Sequence, residues 1–254
     1  MRDQSECVEE TTLLRDEARA LAILRGYGDR ACYESMVQTI TRGMAVDIDA
    51  QDDGVMLRHR RGDIVMVAAK TGRRLREMTG RIALGTPDVM LHGLCEPEQD
   101  VLVRARLNLK NTIAFYQYAY YGEAPAPDAD VDIRPLELDS LDFVYRNYGH
   151  ASREYLEARI RQGVMIGAYV AGELVGFIGE HVEGSMGLLH VLPAYRRMHL
   201  GYALERAAIR RTRLAGQIPF DQVALKNEAS IALQARLGMT RAHQQVYWIT
   251  DDTY

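Results

Sequence analysis

Residues 188–216 read LLHVLPAYRRMHLGYALERAAIRRTRLAG, and the pattern of this segment changes three times. It predicts a strand, a proline turn, a basic loop and an amphipathic helix that stops near Gly216 and Pro219. The buried stripe of this helix is predicted at Leu200, Ala203, Leu204, Ala207 and Leu214. A loop that leads from a strand into a helix start gathers unpaired backbone N–H groups at the positive end of the helix dipole. With Arg196, Arg197 and Gly201 at that loop, the segment predicts an anion site suited to a pyrophosphate.

A second informative segment follows a predicted strand at 222–225. Residues 226–239 read KNEASIALQARLGM, in which Asn227 is placed to cap a helix and Ser230 lies in the first turn. Gly238 fits the stop signal of that helix. The inward stripe is predicted at Ala229, Leu233 and Leu237. Taken alone, this segment predicts only an ordinary capped helix.

A change in composition divides the chain near its middle. Gly122 to Asp130 reads GEAPAPDAD and has no apolar periodicity, which is typical of a linker. We therefore expect a first domain over 1–122, a linker over 123–130 and a second domain over 131–254. With 254 residues and 47% hydrophobic content, the chain is long enough for two domains that each bury a core.

The second domain is predicted to mix strands and helices before the anion-site segment. Ala171-Gly172-Glu173 separates two strand patterns and predicts a tight hairpin. Strands are predicted at 131–134, 164–170, 174–181 and 186–192, and helices at 141–148 and 152–160.

The first domain has helix and strand patterns in an order typical of a small α+β domain. Two β-rich runs meet at the turn Arg61-Gly62-Asp63 and predict a hairpin over 54–69. Helices are predicted around 14–24 and at 31–41, 72–82 and 96–108, and further strands at 88–93 and 112–121. Five aromatic side chains of the last strand fit either a stacking platform or ordinary core and interface positions: Phe115, Tyr116, Tyr118, Tyr120 and Tyr121.

The charge balance narrows the class of partner. With 31 basic and 35 acidic residues the net charge is −4, which argues against a general electrostatic grip on nucleic acid or an anionic membrane and favours a small ligand. Cys7, Cys32 and Cys95 have no C-x-x-C spacing, so neither a disulfide framework nor a metal site is expected. No signal peptide and no apolar run near the ~20 residues of a membrane span are present, so we expect a cytoplasmic protein. The sequence leaves open whether the protein forms a homodimer.

The two segments, in this order, resemble the motifs of the GNAT superfamily of N-acetyltransferases. Residues 195–201, YRRMHLG, are similar to its pyrophosphate loop R-x-x-G-x-G/A, and residues 227–238 to its N-x-x-S-x-x-L-x-x-x-L-G element. The resemblance covers 131–254 and implies an α/β (α+β) fold there, with a mixed central sheet flanked by helices. The smaller α+β first domain echoes the same order without a phosphate loop and is interpreted as a candidate degenerate copy. A divergent first half before a motif-bearing second half is also similar to glycine N-acyltransferase-like proteins.

The resemblance implies acetyl-coenzyme A as co-substrate. Carried over by position, the backbone of Leu189, His190 and Val191 would bind the pantetheine arm by strand addition. Asn227 and Ser230 would contact the arm from the other side. The pyrophosphate would be cradled by the N–H groups of Arg196, Arg197, Met198, His199, Leu200, Gly201 and Tyr202.

The implied reaction is direct attack of a primary amine, on a small molecule or a peptide, on the thioester carbonyl. It needs a base, a donor for the developing oxyanion and an acid for the thiolate. The N–H of Val191 is the expected oxyanion donor. His190 is the first candidate base because an ordinary histidine pKa of about 6.5 suits proton transfer at neutral pH, and the alternative is that it only packs in the cleft. Glu180 and Glu183, near the expected mouth of the cleft, are either further bases or solvated loop acids.

Three residues depart from the family pattern. His199 replaces the first glycine of the loop, Gln234 stands where many relatives carry a tyrosine that protonates the thiolate, and Met239 replaces a common phenylalanine. Because an amide cannot act as an acid, Tyr247 on the predicted last strand becomes a candidate acid, with a core position as the alternative.

Two other functions stay open at this point. Gln234 and His199 also fit a non-catalytic acyl-coenzyme A sensor, and the tyrosine-rich strand fits an interaction module. No residue selects the acceptor amine or the acyl chain length, because such surfaces lie in variable loops.

Overall fold

The computed structural model describes residues 4–61, 63–93 and 98–251, with side chains from residue 15 onward. Its helices are α1 (Gln4–Arg25), α2 (Glu34–Thr41), α3 (Gly72–Thr79), α4 (Gln99–Leu107), α5 (Leu141–Asn147), α6 (Arg153–Arg161), α7 (Leu200–Leu214) and α8 (Glu228–Arg236). Its strands are β1 (Ala45–Gln51), β2 (Gly54–His59), β3 (Ile64–Ala69), β4 (Asp88–His92), β5 (Asn111–Ala119), β6 (Asp132–Pro135), β7 (Met165–Val170), β8 (Glu173–Glu180), β9 (Met186–Val191), β10 (Phe220–Ala224) and β11 (Thr240–Thr250). Single turns of 3-10 helix lie at Arg30–Tyr33, Leu138–Ser140 and Pro193–Tyr195.

The described chain forms two compact units. The first contains the chain up to Gln117, residues 223–226 and the chain from Arg241 onward, and the second contains residues 118–222 and 227–240. This division differs from the one expected from the sequence, because nearly all of β11 groups with the first unit. The segment 123–130 has no helix or strand, and it belongs to the second unit.

The first unit has the strand order β1-β2-β3-β4-β11-β5. β2 pairs antiparallel with β1 and β3, β4 pairs parallel with β3, and β11 pairs antiparallel with β4. The predicted hairpin is confirmed, with Gly54 opposite Ala69, although Gly62 of its predicted turn lies outside the described residues. The helix predicted at 96–108 is observed as α4, and its predicted first residues also lie outside the described chain.

Strand β1 was not predicted. Its sequence, AVDIDAQ, carries two aspartates, and its register with β2 shifts between Val46 and Asp49. Asp47 has a φ of 52°, so the strand bulges and the alternation of inward and outward residues is interrupted. A pattern with period two therefore cannot be read there.

The second unit has the strand order β10-β9-β8-β7-β6. β6 to β9 pair antiparallel in sequence, and β10 pairs parallel with β9. One core cluster joins these strands to helices α5 and α6 through Leu141, Val144, Leu156, Ile160 and Phe177. A second cluster joins them to α7 through Ile166, Val175, Ile178, Leu200 and Leu204. The predicted mixed sheet flanked by helices is confirmed for this half of the chain.

Both units contain a pair of parallel strands joined by a helix. In the first, α3 joins β3 to β4, and in the second, α7 joins β9 to β10. The first connection has only Lys70 and Thr71 before the helix, where Thr71 accepts a bond from the N–H of Arg74 at 3.2 Å. The second connection spans 192–199. The shared order supports the interpretation of the first unit as a degenerate copy, and the short connection leaves it without a phosphate loop.

Two predicted stripe positions are wrong. Leu214, expected to be buried, is 65% exposed because the inward face of α7 passes through Ile209 and Thr212, and Leu214 lies about 200° around the helix from Thr212. On α8, Ala229 is exposed and the inward position is taken by Gln234, which is 0% exposed.

The turn of the β7–β8 hairpin gives a prediction about stability. Val170 pairs with Glu173, and the two loop residues Ala171 and Gly172 have φ values of 51° and 85°, as in a type I′ turn. Alanine in the left-handed region costs about 1 kcal/mol, whereas asparagine is favoured there. We expect Ala171→Asn to raise the free energy of unfolding by about 0.5–1 kcal/mol in urea titrations. Ala171→Val should lower it, and equal stability of the two variants would contradict the turn assignment.

Candidate active site

The edge of β9 that faces away from β8 is the first part of the candidate site. The β8–β9 register shifts between Phe177 and Gly179, and Leu188 has a φ of 55°, so β9 contains a bulge just before Leu189. β9 pairs with β10 at its first residue, where Met186 lies opposite Asp221. A bulge re-aims the residues that follow it, here Leu189 to Val191.

The N–H of Val191 points toward this edge. The N–H of Leu192 donates to the carbonyl of Val175 on β8 at 2.9 Å. Because successive residues of an antiparallel strand turn their N–H groups to opposite sides, the N–H of Val191 faces away from β8. The carbonyl of Val191 accepts from Nε of Arg196 at 3.2 Å, which ties the following loop to the end of β9.

The loop between β9 and α7 has an irregular backbone. After the 3-10 turn at Pro193–Tyr195, Arg197 and His199 both have a φ of 68°, the left-handed conformation that favours glycine. His199 is the N-cap residue of α7, and its side chain makes no capping bond. The first N–H groups of the 15-residue helix α7 therefore begin directly after this loop, as an anion site requires.

His199 has a left-handed backbone conformation, which glycine adopts most readily. Its ring centroid lies 4.6 Å from that of Tyr202, so the side chain has a place against the first turn of α7. Tyr202 in turn is contacted by the guanidinium groups of Arg206 and Arg236, at 5.7 and 4.9 Å from the ring centroid. These contacts hold the first turn of α7 against α8.

Removing the His199 side chain gives a second prediction. The backbone conformation of His199 costs a non-glycine residue about 1 kcal/mol, in the free protein and in a complex alike. We expect His199→Gly to raise the free energy of unfolding by up to about 1 kcal/mol in urea titrations and to leave acetyl-coenzyme A binding within about threefold of the wild type. A lower free energy of unfolding would contradict strain at this position, and clearly weaker binding in calorimetric titration would show that the imidazole itself contacts the ligand.

Gly201 leaves open space beside the loop. A Cβ atom added there would meet only Cγ2 of Val191, at 4.0 Å. Its conformation is helical, so the position does not need a glycine for backbone freedom, and a small side chain has room there.

The second predicted segment forms α8 as expected at its start. Asn227 is the N-cap residue, and its Oδ1 accepts from the N–H of Ser230 at 3.2 Å. The predicted cap is confirmed. The contact of these residues with a pantetheine arm stays a prediction.

His190 lies near the end of β9 with its ring stacked on Phe177, at 5.6 Å between centroids. Its Nε2 is buried and has no hydrogen-bond partner among the described residues. Partial burial, and then the charge of Arg196, lower the pKa of His190 below its usual value. The ring is therefore held in place, neutral at pH 7, with one nitrogen free to accept a proton.

Glu183 differs from the expected solvated loop acid at the cleft mouth. It is 5% exposed and accepts a hydrogen bond from the Ser185 hydroxyl. The turn that holds both residues is closed by the His181 N–H, which donates to the Ser185 carbonyl at 2.8 Å. Glu180 is half-buried and forms an ion pair with Arg211 at 3.5 Å. Neither carboxylate is free in solvent, and their roles as bases stay predictions.

Tyr247 lies on β11 in the first unit, opposite Leu91 of β4. Its ring packs against the core cluster of that unit, and its hydroxyl donates to Oε1 of Gln245 at 2.9 Å. Partial burial raises the pKa of Tyr247, so the hydroxyl keeps its proton at neutral pH. Its role as an acid stays a prediction.

Comparison with known proteins gives the same architecture. Residues 164–249 match the family model described as FR47-like protein. A putative GNAT-family acetyltransferase from Novosphingobium aromaticivorans is similar at a TM-score of 0.53 and 17% identity, covering 89% of this chain and 98% of that chain. A GCN5-related N-acetyltransferase from Kribbella flavida is similar at a TM-score of 0.56 and 13% identity, with the same coverage. A Drosophila protein is similar at a TM-score of 0.58 and 18% identity, covering 95% and 90%. No curated protein sequence matches.

The protein has a GNAT fold. Within the residues described above, the protein has no helix long and apolar enough to cross a membrane. The same residues contain no group of three or more His, Cys, Asp or Glu side chains that could hold a metal ion.

One group of buried side chains is not predicted by the sequence pattern. Gln234 of α8, Glu205 of α7 and Asp221 of β10 are at most 8% exposed, and the Gln234 amide donates to both carboxyl groups. Burial of Glu205 and Gln234 is not expected from the sequence, because polar residues of a helix are normally assigned to the solvent face. The one available signal was that Gln234 sits one residue after Leu233 and three before Leu237, on the side that those residues define.

Proposed function

We propose that this protein binds acetyl-coenzyme A along β9 and the loop before α7 and transfers the acetyl group to a primary amine. The observation that carries the proposal is the outward-facing N–H of Val191 followed by a loop that delivers its backbone into the start of α7. GNAT-fold neighbours named as acetyltransferases support the same chemistry.

The residues present fit such a ligand in two places. By the alternation of the strand, the backbone of Leu189 and Val191 faces the β9 edge away from β8 and is open to amide groups of a pantetheine arm, whereas the His190 backbone faces β8 and does not contribute as the sequence motif implies. The loop from Arg196 to Gly201 offers backbone N–H groups and two exposed guanidinium groups to a pyrophosphate. When bound, the thioester supplies an acyl group activated toward amines.

The chain's own groups then divide the work of the transfer. His190, held neutral on Phe177, accepts the proton that the attacking amine loses. The Val191 N–H stabilises negative charge that develops on the carbonyl oxygen, because it is fixed before the reaction begins. The amine remains unspecified, and small-molecule and peptide amines are both candidates.

The test is calorimetric titration with acetyl-coenzyme A, compared with S-acetylpantetheine, which lacks the pyrophosphate. We expect acetyl-coenzyme A to bind and the shorter thioester to bind at least about tenfold more weakly, since one lost charged contact is worth more than about 1.4 kcal/mol. A panel of amines is then screened for coenzyme thiol release. Absence of acetyl-coenzyme A binding up to about 1 mM would overturn the proposal. Binding without thiol release from any amine would favour the non-catalytic sensor.

A further inference from the structure

Gln234 binds two buried carboxyl groups at once. Its side-chain nitrogen lies 3.1 and 3.3 Å from the two carboxyl oxygens of Glu205 and 2.6 Å from Oδ2 of Asp221. The three side chains are 0%, 3% and 8% exposed, respectively. They come from α8, α7 and β10 of the second unit, so the amide connects three elements in its interior.

The two carboxyl groups are close enough that ionising both at once is unfavourable. Because both bind the same nitrogen at these distances, the nearest oxygens of Glu205 and Asp221 are less than about 6 Å apart. Among the described side chains, no Lys or Arg forms an ion pair with Glu205 or Asp221. The other titratable groups facing Asp221 are Glu183, on the turn before β9, and Tyr148, which follows α5. All are acids, so a second negative charge in this interior would be uncompensated.

The free oxygen of Gln234 is the second observation. Oε1 of Gln234 is buried and has no hydrogen-bond partner among the described residues. A buried amide oxygen without a donor is costly, and a carboxyl group can act as a donor only when it is protonated. Burial raises the pKa of Asp221 to about 7, and burial followed by the charge of Asp221 raises the pKa of Glu205. The raised pKa values of Asp221 and Glu205 both agree with one proton held by the pair.

The pair lies at the end of β9 opposite the phosphate loop. Asp221 is beside Met186, the first residue of β9, whereas the loop begins after Val191, the last. Glu205 lies about 7.5 Å along α7 from Leu200, at 1.5 Å per residue. A pantetheine arm that starts at the loop and follows the β9 edge would therefore run toward the two carboxyl groups.

We propose that Glu205 and Asp221, both bound to the Gln234 amide, hold one proton between them and that this proton passes to the coenzyme sulfur when the thioester is cleaved. This inference rests on the proposed function. The amine nitrogen bonds to the acyl carbon as the carbon–sulfur bond breaks, His190 takes the amine proton, and the carboxyl pair gives its proton to the thiolate. The pair is left ionised, and the cycle closes when the pair regains a proton from solvent and His190 releases the amine proton to solvent. No oxidant or further reactant is needed.

The shared proton is tested first without ligand. The folded pair keeps a proton that the unfolded chain has lost, since ordinary Asp and Glu pKa values are near 4. Stability contributed by the pair is therefore full at low pH and is lost as the pH rises toward the folded pKa. We expect the urea midpoint of the wild type to fall between about pH 5 and about pH 7.5, and Asp221→Asn or Glu205→Gln to remove at least about half of that fall. Glu157→Gln, at an exposed acid paired with Arg161, is the matched control and should leave the fall unchanged.

The wild type alone supplies a second measurement in case either variant fails to fold. Its infrared spectrum at neutral pH should contain the carbonyl band of a protonated carboxyl group that shifts in heavy water. Absence of this band, or an unchanged pH dependence of stability in folded variants, would overturn the shared proton.

Transfer to sulfur is tested by the pH dependence of turnover, with acetyl-coenzyme A and the amine that the wild type uses best. Wild-type kcat should fall at high pH as the pair loses its proton, and Asp221→Asn and Glu205→Gln should lower kcat at least about tenfold and remove that basic limb, with KM for acetyl-coenzyme A unchanged. A wild type that turns over with variants of unchanged profile sinks only this inference. A wild type without any turnover sinks the proposed function, and the transfer step with it.

Discussion

Gly201→Trp should abolish acetyl-coenzyme A binding. An added Cβ at Gly201 has its nearest neighbour at 4.0 Å, so the indole can extend into the open space beside the start of α7 without disturbing the backbone. There it would cover the N–H groups that the loop presents. We expect the dissociation constant to rise more than about 100-fold, or about 2.7 kcal/mol, in calorimetric titration.

The matched control is Gly201→Ala at the same site. A methyl group fits the available space and alanine is the better helix former, so this variant should bind within about threefold of the wild type and unfold at slightly higher urea concentration. If the tryptophan variant binds normally while remaining folded, the ligand does not approach this face of α7, and the assignment of the phosphate loop is wrong.

His190→Ala should lower kcat at least about 100-fold, because general base catalysis typically contributes that much. The coenzyme should still bind, since the expected contacts of β9 with the pantetheine arm are made by backbone groups and not by the imidazole. His190→Gln keeps a polar side chain of similar reach but cannot accept the amine proton, so it should be equally slow. His150→Gln, at an exposed histidine after α5, is the matched control and should keep the wild-type rate.

The pH dependence separates a base from a packing residue. The pKa of His190 is lowered, so the ring loses its proton below the ordinary value of about 6.5. Activity limited by this base should be full above that value and fall only at more acidic pH. Both His190 variants should lose this acidic limb. A wild-type rate in His190→Ala at every pH would remove the residue from the mechanism.

Much of the second unit could be predicted because its signals are local. The caps, glycines and prolines that bound α7, α8 and the β7–β8 hairpin act within a few residues, and each appears where the sequence placed it. The phosphate loop was also predictable as a segment. The backbone strain at His199 could not be predicted from the sequence, because only the observed φ of 68° shows it.

The remaining features depend on contacts between distant residues. Nothing local in Thr240–Thr250 shows that this strand pairs with Asp88–His92. The buried carboxyl pair likewise arises from Glu205, Asp221 and Gln234, which are separated in the chain by a strand and two connections. Polar residues at such positions are assigned to solvent until the packing of α7, α8 and β10 is known.

The placement of β11 bears on how the chain is made. The sheet of the first unit holds β11 between β4 and β5, so that unit lacks an internal strand until residues 240–250 have left the ribosome. During synthesis, the edges of β4 and β5 that later pair with β11 stay exposed while the second half of the chain is made. Exposed strand edges can pair with other chains and cause aggregation. A gene cut at the segment 123–130 would leave the first fragment in that state permanently.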